Sequence, residues 1–260
     1  MKMVRFSHAG KIASGVLREQ MITVIAGDLY GDWRETTEKV ALSQVKLLSP
    51  VDAVSLLCIG KNYKAHAAEC ESDAPKEPLL FIKAISCLNG PDMPVKIPPA
   101  AVSAQLDFEA ELAVVIGKKA KAVSVADALR YVLGYTCAND VSARDCQFKD
   151  GQWARGKSLD TFCPLGPWLE TELDPSDLKI EGRLNGEVMQ QSRTSLLIFS
   201  IPFLISYLSQ GMTLTPGTVI LSGTPAGCGF ARKPPVWLKD GDVYEVEIEG
   251  IGVLRNGFAQ

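Results

Sequence analysis

Short apolar runs separated by turn residues dominate the pattern of hydrophobic and polar positions along this 260-residue chain. Gly, Pro, Asn and Asp bound the runs, which is typical of β-strands. The runs are SLLCIG, PLLFIKA, LDFEAELAVVIG, VLGYTCAND, KIEGRLNGEV, GTVILSG and VYEVEIEGIGVLRNGF. They do not alternate with helices in a βαβ rhythm, which disfavours a Rossmann or TIM-barrel architecture. The pattern predicts a mainly β (α+β) fold.

Two segments carry helical signals. Val125–Leu133 follows Ser124, a candidate N-cap residue. Ile201–Gln210 follows Ser200, has a proline in its first turn and stops at Gly211. We therefore expect few, short helices between the strands.

The first fifty residues form a separate pattern of short strands and turns. Ile12–Arg18 is expected to pair with Met21–Ala26, and Pro50 closes the segment before a new apolar run. This divides the chain into a small N-terminal region, residues 1–50, and a larger domain, residues 51–260.

Composition restricts the partners and the compartment. The 27 basic and 30 acidic residues are interleaved and give a net charge of -3, so no basic surface is expected for nucleic acid. The seven cysteines form no CxxC pair, which argues against disulfides and zinc ribbons and favours a reducing compartment. The start of the chain lacks an apolar signal stretch, and Leu196–Leu208 is too short and interrupted to span a bilayer. We expect a cytoplasmic protein with no membrane contact.

Three acidic residues are candidate metal ligands. In an extended LDFEAELAVVIG, Glu109 and Glu111 point to one face of an otherwise apolar strand, where they are costly unless paired or bound to a cation. Asp140 follows the apolar run VLGYTCAN at the mouth of another strand. An all-carboxylate set favours Mg²⁺ or Mn²⁺ over zinc, with Ca²⁺ a further candidate. The alternative is a solvent-facing pair of glutamates.

A histidine, a lysine and a glycine-rich turn are further candidates. If Lys64–Glu71 forms a helical turn, His66 and Glu69 share one face, where the carboxylate can orient the imidazole for proton transfer; the alternative is an exposed loop histidine. Lys157 can point inward to stabilise an enolate or carboxylate, or lie on the surface. The turn SGTPAG, with Thr224, can hold a carboxylate or be a simple turn.

Eight segments, in order, resemble the fumarylacetoacetate hydrolase family over roughly residues 50 to 258. They are GKNYKAHAAE, PLLFIKA, LDFEAELAVVIG, GYTCANDVSARDCQ, GKSLDTFCPLGPW, LNGEVMQ, TVILSGTPAG and IEGIGVLRN. The resemblance implies a mixed β-roll or barrel-like core with a small N-terminal domain, usually as a homodimer. It also implies a Mg²⁺ or Mn²⁺ site.

The resemblance assigns roles to residues of this chain. Glu109, Glu111 and Asp140 would hold the metal, and His66 and Glu69 would act from a lid over the substrate. Arg144, Gln147 and Lys157 would contact the carboxylate and 2-oxo group of the substrate. Gly223 and Thr224 would hold its distal end.

Three functions follow as expectations. The first is a metal-dependent hydrolase that cleaves a carbon–carbon bond in small 2-oxo acids such as acylpyruvates or fumarylpyruvate. The second is an isomerase or decarboxylase of 2-hydroxymuconate-type or oxaloacetate-like substrates in aromatic catabolism. The third, from another class, is a non-catalytic metal- or ligand-binding module. The expected partner is a small 2-oxo or enol carboxylate.

Overall fold

The computed structural model describes all 260 residues and consists of nineteen strands, four α-helices and five short 3₁₀ turns. The strands are β1 Lys2–His8, β2 Lys11–Arg18, β3 Met21–Gly27, β4 Trp33–Ala41, β5 Lys46–Leu47, β6 Ser55–Gly60, β7 Leu79–Lys83, β8 Leu88–Asn89, β9 Val95–Lys96, β10 Leu106–Asp107, β11 Ala110–Ile116, β12 Val132–Asn139, β13 Ser142–Ala143, β14 Cys163–Glu170, β15 Lys179–Leu184, β16 Glu187–Arg193, β17 Thr218–Leu221, β18 Val243–Ile248 and β19 Gly252–Ala259. The α-helices are α1 Lys64–Glu69, α2 Arg144–Asp150, α3 Ala154–Lys157 and α4 Ile201–Gly211.

A large mixed sheet forms the framework. Its strand order is β4-β3-β2-β1-β14-β12-β11-β17-β6-β7, with β5 beside β1 and β8 beside β14. Because the order has two free ends, β4 and β7, the sheet does not close into a barrel. The predicted mainly β architecture is confirmed.

A second sheet covers the centre of the first. It has the order β16-β15-β18-β19-β9, and its strands contact β11, β12 and β14. All seven residues of β11 are buried, as its almost uninterrupted apolar sequence requires of a strand covered on both faces. The candidate ligands Glu109 and Glu111 therefore lie in the middle of the core.

Of the two helices predicted from the sequence, one is present and the other is not. The prediction at Ile201–Gln210 is confirmed by α4. The prediction at Val125–Leu133 is wrong: only Ala128–Tyr131 forms a 3₁₀ turn, and β12 begins at Val132. The Ser124 hydroxyl donates a hydrogen bond to the Asp127 carboxylate and accepts one from the Asp127 amide. These two bonds close a local turn instead of starting a helix.

The N-terminal region forms strands β1 to β5, and the predicted hairpin is confirmed by the pairing of β2 with β3. Strand β1 joins this region to the rest of the large sheet by antiparallel pairing with β14, where Lys2 opposes Glu170. The terminal amine also contacts the Glu170 carboxylate. A domain boundary near residue 50 stays a prediction.

None of the helices has the length and apolar character needed to cross a bilayer.

Candidate active site

Three carboxylates converge where β11 and β12 lie side by side. Glu109 directly precedes β11, Glu111 lies within it, and Asp140 directly follows β12. Antiparallel pairing places Glu111 opposite Ala138, and the Asp140 amide donates to the Glu109 carbonyl at 2.9 Å. One ligand oxygen from each carboxylate lies within 4.8 Å of the others, and all three residues are buried. The solvent-facing alternative for Glu109 and Glu111 is wrong.

Two buried lysines neutralise part of this charge. Lys157 Nζ donates to Glu109 Oε2 at 2.6 Å and to Asp140 Oδ2 at 2.9 Å. Lys83, at the end of β7, donates to Asp140 Oδ1 at 2.5 Å. Lys157 therefore points inward, as one reading of the sequence predicted, and its side chain is only 2% exposed. Lys83 was missed, although a lysine closing the apolar run LLFIK was a usable signal.

Arg144 links Glu109 to a fourth buried acid. Its Nη2 donates to Glu109 Oε1 at 2.7 Å and its Nε to Asp107 Oδ2 at 2.8 Å. Its Nη1 donates to Gln147 Oε1 at 2.9 Å, one turn along α2. Arg144 and Gln147 thus lie beside the carboxylates, where their predicted substrate contacts stay predictions. Sequence reasoning missed Asp107, although it lies two residues before Glu109 and alternation in an extended segment would place both on one face.

Glu109 and Glu111 differ in their ion pairs, and therefore in the direction in which their pKa values shift. Burial acts to raise the pKa of Glu109, but Lys157 and Arg144 outweigh it and hold that pKa below its ordinary value. Glu111 has no such cation, and its Oε2 accepts only the Gly223 amide, at 2.7 Å. Burial, followed by the charges of Asp140 and Glu109, raises the pKa of Glu111 well above its ordinary value.

These observations fit a divalent cation. Glu111 is a buried carboxylate without a counter-charge, and its neighbours supply two more carboxylate oxygens. Such an oxygen-only donor set suits Mg²⁺ or Mn²⁺. Glu109, Glu111 and Asp140 are therefore the residues that could hold the ion.

The glycine-rich turn after β17 supports the carboxylates. Gly223 adopts φ +105°, and a Cβ there would lie 2.6 Å from the Asn62 Cβ, so the position requires glycine. The Thr224 hydroxyl donates to the Ala110 carbonyl at 3.0 Å. Gly223 is thus engaged with Glu111, and whether it and Thr224 hold the distal end of a substrate stays a prediction.

His66 and Glu69 form a buried pair on α1. His66 Nδ1 lies 2.7 Å from Glu69 Oε1, and Glu69 Oε2 accepts the Gly227 amide at 2.8 Å. His66 is 5% exposed, so the reading of an exposed loop histidine is wrong. Burial lowers the pKa of His66, but Cys228, Cys70 and the Glu69 hydrogen bond raise it more, and the net shift is upward.

His66, Glu69 and Cys228 form a second group whose potential ligand atoms lie within 4.8 Å of one another. Imidazole, carboxylate and thiol together suit zinc better than magnesium. Burial raises the pKa of the Cys228 thiol to about 12, so this sulfur stays protonated without a metal. The three carboxylates are the better site for a hard cation.

One cavity of about 810 Å³ is lined by two residues of each set, Glu109 and Glu111 of the first and His66 and Glu69 of the second. Its lining includes predicted residues from the carboxylate cluster, α1, α2 and the glycine-rich turn: Glu109, Glu111, Lys157, His66, Glu69, Arg144, Gln147 and Thr224. Aromatic side chains that the sequence did not single out form much of the wall: Phe81, Phe148, Trp153 and Phe230. The cavity is large enough for a small carboxylic acid.

Comparison with known families identifies the chain. The family model described as fumarylacetoacetate (FAA) hydrolase C-terminal matches residues 55–259. The chain belongs to the fumarylacetoacetate hydrolase family. A second model, described as Rv2993c-like, N-terminal, matches residues 1–50. The resemblance found in the sequence is thus confirmed, and the chain is an enzyme of this family.

Similar proteins cover nearly the whole chain. Protein Rv2993c of Mycobacterium tuberculosis is 45% identical over 235 residues, covering 89% of this chain and 85% of that protein. The mitochondrial oxaloacetate tautomerase Fahd2a of Rattus norvegicus is 43% identical over 259 residues, covering 98% and 78%. The crystal structure of 5-carboxymethyl-2-hydroxymuconate delta-isomerase from Mycobacterium smegmatis has a TM-score of 0.91 at 41% identity and covers 100% and 99%.

Proposed function

We propose that this protein is a divalent-metal-dependent tautomerase or isomerase of small 2-oxo and enol carboxylates. The observation that carries the proposal is the presence, in one cavity, of the carboxylates Glu109 and Glu111 with the His66–Glu69 pair. The first set suits a cation that binds an oxo acid, and the second suits proton transfer. In keto–enol interconversion, a cation can stabilise the enolate while an acid/base pair moves the proton.

The cation would be held by Glu109, Glu111 and Asp140 and would supply Lewis acidity toward the 2-oxo carboxylate. His66 Nδ1 is held by Glu69 at 2.7 Å, whereas Nε2 has only a weak contact with the Cys70 sulfur at 3.8 Å, so Nε2 is the nitrogen that would exchange a proton with the substrate carbon. In the direction from enol to ketone, Nε2 would donate a proton to carbon 3, the enol hydroxyl would release its proton to water, and the imidazole would then take a proton back from water. In the reverse direction the neutral imidazole accepts the carbon-bound proton.

Lys157 would support the charge that develops on the substrate oxygen. Its ammonium group is buried and held by Glu109 and Asp140, so it needs little reorganisation during the reaction. The Glu69 carboxylate fixes the His66 ring and is itself fixed by the Gly227 amide. Phe81 and Trp153 meet edge to face in the cavity wall, with ring centres 5.2 Å apart, and would limit the access of water to a bound substrate.

The names of the similar proteins favour proton transfer over hydrolysis. The Rattus norvegicus relative is named an oxaloacetate tautomerase, and the Mycobacterium smegmatis structure a delta-isomerase. Both names describe a proton shift without attack by water. This supports the second sequence-based expectation in its isomerase form.

Hydrolysis of acylpyruvate- or fumarylpyruvate-like acids is the second candidate. The His66–Glu69 pair favours it, because a neutral histidine oriented by a carboxylate can activate water. The upward shift in the pKa of His66 weighs against a resting general base near neutral pH. Decarboxylation of oxaloacetate is a third outcome, since it uses the same bound oxo acid.

NMR product analysis separates these reactions. The purified protein with Mg²⁺, and a control with EDTA, would be incubated with oxaloacetate, acetylpyruvate, fumarylpyruvate and a 2-hydroxymuconate-type dienol. We expect metal-dependent keto–enol exchange or a shifted double bond without release of a second acid. Pyruvate plus a second acid would replace the proposal by hydrolysis, and loss of CO₂ by decarboxylation. Metal binding without any conversion would favour a binding module.

A further inference from the structure

Arg232 is a cation of the active-site cavity that makes no ion pair. The two buried basic side chains of the cavity are fully engaged: Arg144 with Asp107 and Glu109, and Lys157 with Glu109 and Asp140. Lys61, which is partly buried, and Lys233, which is exposed, also line the cavity without an ion pair. Arg232 donates one hydrogen bond, from Nη2 to the Met189 carbonyl at 2.9 Å. A guanidinium has five N–H donors, so most of its hydrogen-bonding capacity is unused.

The unused donors include a buried one. Arg232 Nε is inaccessible to solvent and has no hydrogen-bond partner. Because Nε is inaccessible to solvent, a ligand in the cavity would meet the N–H groups of Nη1 and Nη2, and only one hydrogen bond from these two nitrogens is present. The side chain is partly buried and lines the same cavity as the carboxylates.

The loop that carries Arg232 is fixed to the catalytic cluster. The amides of Gly229 and Phe230 donate to the Asp107 carboxylate at 2.8 and 3.2 Å. The same carboxylate accepts from Arg144, whose guanidinium lies 4.4 Å from the centre of the Phe230 ring. Arg144 binds Glu109 as well as Asp107, so the loop holds Arg232 in a defined position relative to Glu109.

From these contacts we propose that Arg232 binds the second carboxylate of a dicarboxylic substrate. The inference rests on the proposed function, in which a cation held by Glu109, Glu111 and Asp140 binds the 2-oxo carboxylate. The planar donor fork of a guanidinium matches a carboxylate, and charge-assisted pairs of this kind are strong. Lys233, the next residue, also lines the cavity but is exposed, so its contribution is smaller. The selected substrates are short 2-oxo dicarboxylates rather than monocarboxylates.

A matched pair of substrates tests the proposal. Oxaloacetate and 2-oxobutyrate have the same carbon chain, but a methyl group replaces the distal carboxylate in the second. Exchange of hydrogen for deuterium at carbon 3 would be followed by NMR for both, with the full-length Mg²⁺-loaded protein. The variants are Arg232→Met, which keeps the apolar stem but removes the donors, and Arg232→Lys, which keeps the charge.

Arg232→Met should lower kcat/KM for oxaloacetate about 10- to 100-fold, the loss expected for a hydrogen-bonded charge, and change that for 2-oxobutyrate less than about threefold. Arg232→Lys should recover part of the loss. The control is Arg193→Met, because Arg193 pairs with Asp177 on the surface and does not line the cavity. That variant should change neither value.

An equal loss with both substrates, or no loss with oxaloacetate, would overturn the inference. If the wild-type protein exchanges neither substrate, the proposed tautomerase function fails, and calorimetric binding of the two acids in Mg²⁺ then tests Arg232 alone. We expect tighter binding of oxaloacetate than of 2-oxobutyrate in the wild-type protein and loss of that difference in Arg232→Met. Equal affinities in the wild-type protein would refute the role of Arg232 independently of turnover.

Discussion

At the scale of single residues, the site is a balance of buried charges. Glu109 and Asp140 have lysine or arginine partners, whereas Glu111 has only a backbone amide. The sequence predicted these three acids because acidic residues in an apolar strand require compensation. It did not predict that Lys83 compensates Asp140 or that Arg144 joins Glu109 to Asp107, because these contacts join distant parts of the chain.

Replacing Glu111 by glutamine should separate metal binding from folding. The raised pKa of Glu111 favours its uncharged form without metal, so the variant should unfold at nearly the same urea concentration as the wild-type protein in EDTA. With Mg²⁺ at 100 times its Kd, the wild-type protein should gain about 2.7 kcal/mol of stability, and the variant much less. Urea unfolding of each protein in EDTA and in Mg²⁺ measures the stability without metal and the gain on adding it. Equal gains in the two proteins would exclude Glu111 as a ligand.

Lys83→Met should destabilise the protein in EDTA by about 3 to 5 kcal/mol, because Asp140 would lose one of the two ammonium groups that neutralise it. Urea unfolding measures the loss. The control is Arg155→Met, which breaks an exposed pair with Asp150 and should have a much smaller effect. Similar losses in the two variants would show that the buried Lys83–Asp140 pair stabilises the protein no more than the exposed Arg155–Asp150 pair does.

The His66–Glu69 pair gives a pH dependence of known sign. The pKa of His66 is raised in the folded state, so its stabilising contribution is complete below the unfolded pKa of about 6.5 and is lost as pH rises toward the folded value. Glu69, Cys70 and Cys228 are the titratable groups facing the ring. The difference in unfolding free energy between the wild-type protein and His66→Gln should therefore be larger near about pH 6 than near about pH 9. A difference that grows with pH would contradict the assigned direction.

At the scale of elements, the strands and α4 followed from apolar periodicity, but α2 and α3 did not. Arg144–Asp150 is rich in charged residues, and Ala154–Lys157 is a single turn, so neither has an apolar face to detect. Helix α1 has six residues, too few to be stable alone, and depends on tertiary contacts such as that of Glu69 with Gly227. The sequence located the His66–Glu69 pair but not the loop that holds it.

Gly227→Ala should test this loop. Gly227 has φ +108°, and a Cβ there would lie 2.1 Å from the Met189 carbonyl oxygen, so the loop must shift. We expect a loss of stability of more than about 1 kcal/mol and reduced activity. Gly151→Ala is the matched control, because Gly151 also has positive φ but nothing lies within 4 Å of its Cβ position. Urea unfolding of both variants measures the two losses. Equal losses would mean that the positive φ alone, without the clash at Met189, explains the effect.

At the scale of the whole molecule, the two-layer arrangement depends on pairings that no local pattern reveals. Strand β1 pairs with β14, and β6 lies parallel to β17, so residues more than 150 positions apart are hydrogen-bonded neighbours. Alternation and turn residues predict that strands exist, but the order and register of twelve strands depend on long-range packing. The cavity and its aromatic wall are products of this arrangement.

The homodimer implied by the family resemblance is a prediction at this scale. A partly exposed row of stacked rings begins at Phe199, just before α4, and continues along the helix with Phe203 and Tyr207, and Leu196 lies exposed nearby in the chain. Such apolar surface is often covered by a partner. Light scattering should give twice the chain mass of 28.1 kDa. A mass of one chain at all concentrations tested would contradict the dimer.

The most direct test of the central claim is the rate at which enol oxaloacetate becomes the ketone, followed by ultraviolet absorbance in the presence of Mg²⁺. We expect acceleration by the wild-type protein that EDTA abolishes, and a fall of at least about 100-fold in kcat for both Glu111→Gln and His66→Gln, since each removes a group used in the transition state. Full activity in EDTA, or in both variants, would contradict the assignment of this cavity as a metal-dependent site for proton transfer.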